Sequence, residues 1–339
     1  MISTLLEYYN QEPFRFLTAF GAILFLTLNL AAILTMSERK VAGYIQGRFG
    51  PNRVWPRGLL QPAADVVKLF TKENLSPSGS DLWIFLAAPI AMFIPAATIW
   101  LVVPFAPGLV IADLNIAILF FISITSIGAL GVIMAGYGSR SNFSLLGALR
   151  GAGQLISYEV PLILSLLGIA ILTGSLSLVD VVDAQAGGFW NWYVWFQLPM
   201  FVAFYVAGIA EVKRIPFDLP EGESEIVGGF MVEYSGMTWA LIQASEFALM
   251  GLMSAIGATL FFGGWQPPLA FLDLGTFNWI WFGLKTSLLM FTFLWIRWTL
   301  PRLRMDQLMD LGWKVLVPLT ILWLFVTAGA VLAFPSFFG

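Results

Sequence analysis

Eight long apolar runs, separated by polar segments, constrain this chain more than any other feature. A bilayer core of roughly 30 Å needs about 20 apolar residues in a helix, and each run is close to that length. Hydrophobic residues make up 59% of the chain and charged residues 11%, which is unlike a soluble domain. The sequence predicts an all-α, polytopic membrane bundle forming one integral membrane domain over residues 1–339. The predicted spans cover residues 14–36, 82–104, 114–137, 157–177, 195–212, 239–262, 279–300 and 315–334.

Lysine and arginine are concentrated in alternate loops between these runs. The odd-numbered loops, 37–81, 138–157, 213–238 and 301–314, contain them, whereas the even-numbered loops contain none. Cytoplasmic loops collect lysine and arginine, so we expect the odd loops to face the cytoplasm. An even number of spans then places the N- and C-termini together on the non-cytoplasmic side.

Residues 57–72 of the first loop have the pattern of an amphipathic helix and not of a span. Apolar residues from Leu59 to Phe70 recur at helical spacing, with Asp65, Lys68 and Lys72 on the opposite face. We expect this helix to lie at the cytoplasmic membrane interface. It either packs on the bundle or walls a cavity where a lipid-like molecule enters.

The chain contains no cysteine and no histidine. It therefore lacks the side chains for disulfides, for cysteine-held iron–sulfur clusters, for histidine-ligated haem and for a Ser-His-Asp triad. We expect no metal, flavin or iron–sulfur cluster to be bound by this chain. The net charge of −3 gives no reason to expect a nucleic-acid partner. The side chains available for proton chemistry are therefore carboxylates, lysine, arginine, tyrosine and hydroxyl groups.

Acidic residues cluster in and beside the fifth loop, interleaved with apolar ones. Clustered carboxylates near a low-dielectric region have raised, coupled pKa values and share protons. Two simpler interpretations remain: a solvated acidic loop, and a helix start in which Asp218 is the N-cap and Glu221 completes a capping box. The acidic residues are Glu211, Asp218, Glu221, Glu223, Glu225 and Glu233.

Three further ionisable residues fall inside predicted spans. Glu246 lies within the sixth, Glu159 is near the start of the fourth beside Tyr158, and Lys285 lies in the seventh. A charge facing lipid costs several kcal/mol, so these groups should face the bundle interior. They predict an ion or proton route; the alternative is a buried Lys–Glu pair that fixes packing.

The first loop also begins with a polar, basic cluster, SERKVAGYIQGRFGPNR, in which Gly50-Pro51-Asn52 is a turn signal. Its cations either anchor the first helix at lipid phosphates or form a docking surface for a soluble partner. Composition does not separate these interpretations.

Four long segments together resemble one known family. They are ERKVAGYIQGRFGPNRVWPRGLLQPAADVVKLFTKE (38–73), LLGALRGAGQLISYEVP (145–161), KRIPFDLPEGESEIVGGFMVEYSGM (213–237) and FLWIRWTLPRLRMDQLMDLGWK (293–314). The chain resembles, over nearly its whole length, the H subunit (subunit 1 in mitochondria) of proton-translocating NADH:quinone oxidoreductase, respiratory complex I.

The resemblance implies a membrane-arm subunit that forms the membrane end of a quinone chamber and couples quinone reduction to proton translocation. Quinone would be a shared substrate, reduced in a neighbouring subunit, and no isolated activity is expected from this non-redox subunit. The implied partners are peripheral-arm quinone-site and iron–sulfur subunits, small and antiporter-like membrane subunits, and membrane lipid. The implied location is the cell inner membrane.

Site residues follow from the matching motifs as expectations. The quinone chamber would include Arg39, Arg48, Asp65, Lys68, Phe217, Tyr234 and Arg297. The proton or charge route would include Glu159, Glu211, Asp218, Glu221, Glu223, Glu225, Glu246 and Lys285. Partner docking would involve Arg53, Arg150 and Arg214.

The chain departs from the family pattern at a few positions. Gly222 stands where the family often has alanine, Trp55 replaces a common glycine, and Phe230-Met231-Val232 replaces a more polar stretch. Two other functions remain as alternatives. The membrane anchor of an energy-converting hydrogenase would keep the PFDLPE motif but use no quinone. A stand-alone transporter would be expected to have an inverted repeat, and no internal repeat is visible.

Overall fold

The computed structural model describes residues 12–334, except for the side chains of residues 12–17, Glu223, Ser224, Ala270 and Thr276. Over this range the chain forms helices joined by loops and short 3-10 turns. The helices are α1 (Glu12–Ile45), α2 (Gln61–Thr71), α3 (Leu82–Thr98), α4 (Ala117–Gly138), α5 (Asn142–Thr173), α6 (Leu178–Ala184), α7 (Tyr193–Phe196), α8 (Leu198–Glu211), α9 (Glu223–Ile226), α10 (Gly236–Phe261), α11 (Trp279–Thr299), α12 (Met305–Asp310) and α13 (Val317–Ala333).

Seven helical segments in the described part of the chain are long and apolar enough to cross a membrane. They are α1, α3 with its 3-10 extension, α4, α5, α10, α11 and the continuous segment from α12 to α13. In lipid every backbone polar group must be satisfied internally, and a helix achieves this within one segment. The prediction of a polytopic helical membrane bundle is confirmed.

The fifth predicted span forms a shorter helix than expected. Helix α8 has 14 residues, so it is about 21 Å long and falls short of a bilayer core by itself. Its start is set by Pro199 in the first turn, with the four-residue helix α7 just before it. The eight predicted spans thus become seven long helices and one short apolar helix.

Three helices extend into segments that were expected to be loops. Helix α1 continues to Ile45, α5 already begins at Asn142, and the last segment begins at Met305. The predicted loops 138–157 and 301–314 therefore contain helical backbone, and their position outside the membrane stays a prediction. Hydropathy marks where a helix leaves the apolar layer, whereas backbone hydrogen bonding continues beyond that point.

Helix α2 is the amphipathic helix expected near residues 57–72. None of its residues is buried, and Val66, Val67 and Phe70 are exposed on its surface. Arg39 Nη1 lies 2.6 Å from Asp65 Oδ2 and joins α2 to the end of α1. The helix therefore rests beside the bundle with much of its apolar surface uncovered by this chain.

Helix α10 lies at the centre of the bundle. It packs against α1, α3, α8 and α11, and it is the most buried of the seven long segments. Gly251 allows a close approach to α1, because a Cβ there would lie 2.6 Å from Leu30 Cδ2. The central position of α10 takes Glu246 into the interior, away from lipid.

Candidate functional site: a buried charge cluster

Glu246 is the centre of a group of buried charges. One carboxylate oxygen lies 3.3 Å from Lys213 Nζ, and the other lies 3.6 Å from Arg214 Nη2. The side chains of Lys213 and Glu246 are only 2% and 0% exposed. A carboxylate and an ammonium at this depth remain ionised only as partners, because isolated buried charges are very costly.

The series of charges continues from Arg214 to α1 and α11. Arg214 Nη1 lies 3.6 Å from Glu38 Oε2, and Arg297 contacts the other oxygen of Glu38. Signs alternate from Arg297 through Glu38, Arg214 and Glu246 to Lys213, and we call these five residues the buried charge cluster. Alternating signs keep the net charge of the cluster close to zero. A charge displaced at one end changes the electrostatic energy of the neighbouring residue in the cluster.

Aromatic rings and backbone geometry hold the two loop cations in place. Lys213 Nζ lies 4.8 Å from the centre of the Phe230 ring, and the Arg214 guanidinium lies 4.4 Å from the Phe247 ring. The backbone of Lys213 has φ 57°, in the left-handed region that a long side chain rarely adopts. Such a conformation costs about 1–3 kcal/mol and persists where surrounding contacts over-determine it.

A second series of polar groups leads from Lys213 toward α4. The buried carboxylate of Glu211, at the end of α8, lies within electrostatic range of both Lys213 and Glu159. Glu159 on α5 accepts a hydrogen bond from Ser126 Oγ on α4. Ionisable side chains therefore connect the interior around α10 with the seam between α4 and α5.

Glu221 and Asp218 lie on loop five beside the cluster. Burial raises the pKa of Glu221 well above its ordinary value, the Glu246 carboxylate raises it further, and Arg214 opposes the rise. Asp218 is close enough to raise the pKa of Glu221 as well. The Glu221 carboxyl group therefore favours its protonated form beside the Glu246 carboxylate.

The helix start at Asp218, one of the two simpler interpretations of this loop, does not form. Residues 218–221 form a turn, and the next helix, α9, begins at Glu223 with Gly222 at its N-cap position. The sequence pattern of an N-cap was present, but the loop folds back toward Arg214 and Glu246 instead of starting a helix. Asp218 therefore contributes to the field around Arg214 and Glu221.

The outer edge of loop five is held by Arg150. Its Nη1 lies 2.6 Å from Glu225 Oε2, and this hydrogen bond holds the pKa of Glu225 below its usual range. Glu225 is half-exposed and is separate from the buried charge cluster. The side chain of Glu223, another predicted route residue, lies outside the described residues.

Lys285 lies away from the cluster, near the other end of α10. Its ammonium donates hydrogen bonds to the carbonyl oxygens of Phe262, Gly264 and Gln266 at 2.6, 3.0 and 2.7 Å. It also lies 4.2 Å from the centre of the Trp192 ring. The buried Lys–Glu pair considered from the sequence does occur, but the lysine is Lys213.

The predicted chamber residues on loop one and α2 lie at the surface of the bundle. Arg39 and Asp65 join α1 to α2, Arg48 Nε donates to Gln46 Oε1 at 2.6 Å, and Lys68 is exposed. Arg297, also expected in the chamber, contacts Glu38 in the buried charge cluster.

Two other residues assigned to the chamber are packed inside the protein. Phe217 contacts the Tyr158 ring, with ring centres 5.3 Å apart. Tyr234 stacks on Phe85 at 4.2 Å and donates its hydroxyl hydrogen bond to the Phe85 carbonyl oxygen. Both side chains are buried, so they stabilise loop five against α5 and α3.

The three arginines predicted for partner docking are in different environments. Arg53 is exposed, Arg150 is bound to Glu225, and Arg214 is buried in the charge cluster. Only Arg53 of these three is therefore freely presented on the surface of this chain.

Sequence reasoning missed three residues of the site. In the sequence, Glu38 stands among cationic residues at the end of the first span, Lys213 is one of several loop cations, and Ser126 is a hydroxyl within an apolar run. Glu38 is a single acid within a basic segment, and Lys213 directly precedes Arg214 beside a run of acids. Those local contrasts are the only hints that the sequence offers. No group of three or more Asp and Glu side chains in the described part of the chain is arranged to hold a metal ion.

The chain matches known proteins over most of its length. A family model described as NADH dehydrogenase matches residues 17–328. The H subunit of NADH-quinone oxidoreductase from Rubrobacter xylanophilus is 77% identical over 327 residues, covering 96% of this chain and 99% of that protein. The corresponding H subunits of Rhodospirillum rubrum and Rhodospirillum centenum are 48% and 49% identical, over 92% and 89% of this chain and 93% and 90% of their own lengths. These matches confirm the resemblance drawn from the four sequence segments. The chain belongs to the NADH dehydrogenase family that includes the H subunits of NADH-quinone oxidoreductase.

Proposed function

We propose that this chain forms the membrane end of the quinone chamber in respiratory complex I and couples quinone reduction to proton translocation. The observation that carries the proposal is the buried charge cluster, which joins the α2 side of the bundle to its centre. Such a series of ionisable groups is costly to bury and marks an ion or proton route in a membrane protein. The relatives' own names add that they are subunits of an NADH-quinone oxidoreductase.

The chamber is assigned to the face where α1 meets α2. A quinone has a polar headgroup on a long apolar tail, and the exposed side chains of Val66, Val67 and Phe70 offer an apolar surface for such a tail. Two adjacent residues of α1 then connect chamber and cluster, since Arg39 binds Asp65 while Glu38 binds Arg214 and Arg297.

The mechanism is electrostatic. Reducing a quinone to a quinol consumes electrons and protons and changes the charge and hydrogen bonding near loop five. The proton that Glu221 holds responds to that change, because the pKa of Glu221 depends on the charges around it. The change in charge is passed through Lys213 to Glu211 and Glu159. Electron transfer to quinone belongs to partner subunits of the peripheral arm.

The surroundings of the chain are part of the proposal. Partners are the peripheral-arm quinone-site and iron–sulfur subunits, with small and antiporter-like membrane subunits and lipid around the bundle. The arginine- and lysine-bearing loops face the cytoplasm, both termini lie on the opposite side, and the host membrane is the cell inner membrane.

A hydrogenase membrane anchor is the second candidate, because loop five keeps the PFDLPE motif. The three relatives are all named as subunits of a quinone oxidoreductase, which favours the quinone type. Bound quinone in the purified assembly would support the first candidate, and a nickel-containing partner without quinone would support the second.

The test of coupling is Glu246→Gln in the whole complex, reconstituted into vesicles. Quinone reduction and proton uptake into the vesicles are measured together. We expect quinone reduction to continue while fewer protons are moved per quinone reduced, because glutamine keeps the size of the side chain but does not titrate. Full proton pumping by this variant would contradict the proposed route.

Two further variants make the result interpretable. Asp113→Asn removes an exposed acid between α3 and α4, so it should pump as the wild type does. Glu246→Gln combined with Lys213→Met removes both members of the buried pair and avoids an uncompensated ammonium. The double variant should assemble better than Glu246→Gln alone and still fail to pump normally.

A further inference from the structure

Gly222 of loop five and Arg302 of the segment between α11 and α12 occupy one tightly shared space. A Cβ atom built at Gly222 would lie 2.2 Å from Arg302 Nη2, 2.8 Å from Nη1 and 2.9 Å from Cζ. A real Cβ does not approach so closely, so a larger residue at position 222 would displace the guanidinium, which is the far end of a flexible side chain. The same two segments also meet where the Leu303 N–H donates to the Pro216 carbonyl oxygen at 3.1 Å.

The position of Arg302 is set by charge as well as by shape. The hydrogen bond from Arg150 is the main cause of the lowered pKa of Glu225, and the positive charge of Arg302 lowers it further. Glu225 thus lies between two cations from different parts of the bundle. Arg302 Nε and Nη2 are buried without a hydrogen-bond partner among the residues that the structure describes. Such donors are expensive to bury, so this placement depends on the nearby carboxylate and on the space at Gly222.

Gly222 transmits this contact to the rest of loop five. Its carbonyl oxygen accepts hydrogen bonds from the N–H groups of Glu225 and Ile226, each at 2.9 Å, and these bonds begin α9. The residue before it in the chain is Glu221, which lies against Glu246. A shift of the backbone at Gly222 therefore moves Glu221 relative to the buried charge cluster.

We propose that Arg302 is a positioning residue, which fixes loop five, and Glu221 with it, through the space left by Gly222. The inference rests on the proposed function for its consequence in proton coupling, but not for the contact itself. Arg302 is not one of the five residues of the buried charge cluster; it determines where the carboxyl group of Glu221 is held.

A double-mutant cycle on the purified, complete complex tests the contact. The variants are Gly222→Ala, Arg302→Gln and both together, and the measurement is amide hydrogen exchange over residues 213–238. Losing a charged, buried contact should speed exchange in loop five by about tenfold in each single variant. The double variant should be no faster than either single variant, because both changes remove the same contact.

Neighbouring residues supply matched controls. Arg304→Gln removes an exposed arginine paired with Asp306, and Gly79→Ala adds a Cβ where nothing lies within 4 Å. Both controls should exchange as the wild type does in loop five. If the effects of Gly222→Ala and Arg302→Gln add, or if Arg302→Gln behaves like Arg304→Gln, the inference is overturned. If Gly222→Ala does not assemble, the comparison of Arg302→Gln with Arg304→Gln still tests whether Arg302 holds loop five.

A conservative variant separates positioning from bulk packing. Arg302→Lys keeps the positive charge near Glu225 but has a narrow ammonium head in place of the planar fork. Gly222→Ala alone should lower the number of protons moved per quinone reduced. Adding Arg302→Lys to Gly222→Ala should restore that number toward the wild-type value. A combined variant no better than Gly222→Ala would contradict the inference.

The two proposals fail in different ways. Normal pumping by Glu246→Gln would remove the proposed function, while the exchange cycle would still decide whether Arg302 holds loop five. Lost pumping by Glu246→Gln, together with additive exchange effects, would keep the proposed function and remove Arg302 from it.

Discussion

Lys213 Nζ lies 3.3 Å from Glu246 Oε1 at a place where both side chains are almost wholly buried. The lysine comes from the start of loop five and the glutamate from the middle of α10. Because Arg214 binds the other oxygen of Glu246 and also Glu38, the pair is one part of a larger ionic arrangement. A proton or charge that moves here changes the balance of the whole cluster.

Removing one member of this pair should destabilise the protein more than removing both. Lys213→Met or Glu246→Gln leaves a buried charge without full compensation, which costs up to about 3–5 kcal/mol. In the double variant Glu38 still compensates Arg214, so the loss should be smaller than in either single variant. Thermal unfolding of the purified complex measures this, and strictly additive losses would show that the two residues do not interact.

Glu221 should make stability depend on pH in a defined direction. Its pKa is raised above the ordinary value of 4.5, so the folded state holds the proton more tightly than the unfolded state does. The resulting stabilisation is complete below the ordinary pKa and is lost as pH rises through the folded-state pKa.

The variant Glu221→Gln cannot titrate, so it should lose less stability than the wild type between mildly acidic and alkaline pH. Glu225→Gln is the contrast, because the pKa of Glu225 is lowered and its contribution is lost as pH falls instead. Unfolding temperatures across this pH range supply the measurement. Equal pH dependence in wild type and Glu221→Gln would mean that Glu221 does not hold the proton.

Lys285 should matter for assembly and not for pumping. Lys285→Met removes the donor to three carbonyl oxygens at the end of α10, and hydrogen bonds from a charged group are each worth about 1.5–3 kcal/mol. We expect less assembled complex on native gels, while the protons moved per quinone reduced stay unchanged in what assembles. Normal assembly with lost pumping would instead return Lys285 to the charge route.

The proposed orientation can be read from single cysteines, because the chain has none of its own. Ser78→Cys lies in the first loop and Leu109→Cys in the second, and both sites are exposed. A membrane-impermeant maleimide added to intact cells should label Leu109→Cys only, whereas inverted vesicles should label Ser78→Cys only. The reverse pattern would overturn the orientation.

Much of the fold could be predicted because a segment that crosses a bilayer as a helix needs about 20 apolar residues. Apolar runs of the required length became helices, and the spacing of Val66, Val67 and Phe70 correctly indicated a helix at the bundle edge. Helix ends were predicted poorly at Ile45 and Asn142, because a helix can continue beyond the apolar layer. Helix α8 corresponds to the shortest of the predicted spans, residues 195–212, and it is the short helix in the structure.

The site was only partly predictable, for a different physical reason. Glu246 stands out in sequence because an acid within an apolar run is costly unless it faces the interior. Its partners come from loop five and α1, and a loop's path is not encoded in hydropathy. The pairing of Glu38 with Arg214 and Arg297 needed three-dimensional structure, as did the separation of Lys285 from Glu246.

The central claim is that quinone reduction changes the protonation of buried carboxyl groups around Glu221 and Glu246. The most direct measurement is the infrared difference spectrum of the purified complex, recorded as its bound quinone is reduced. We predict that a carbonyl-stretch band of a protonated carboxyl group shifts on reduction, is absent in Glu221→Gln and remains in Asp113→Asn. A band that is identical in the wild type and in both Glu221→Gln and Glu246→Gln would contradict the account.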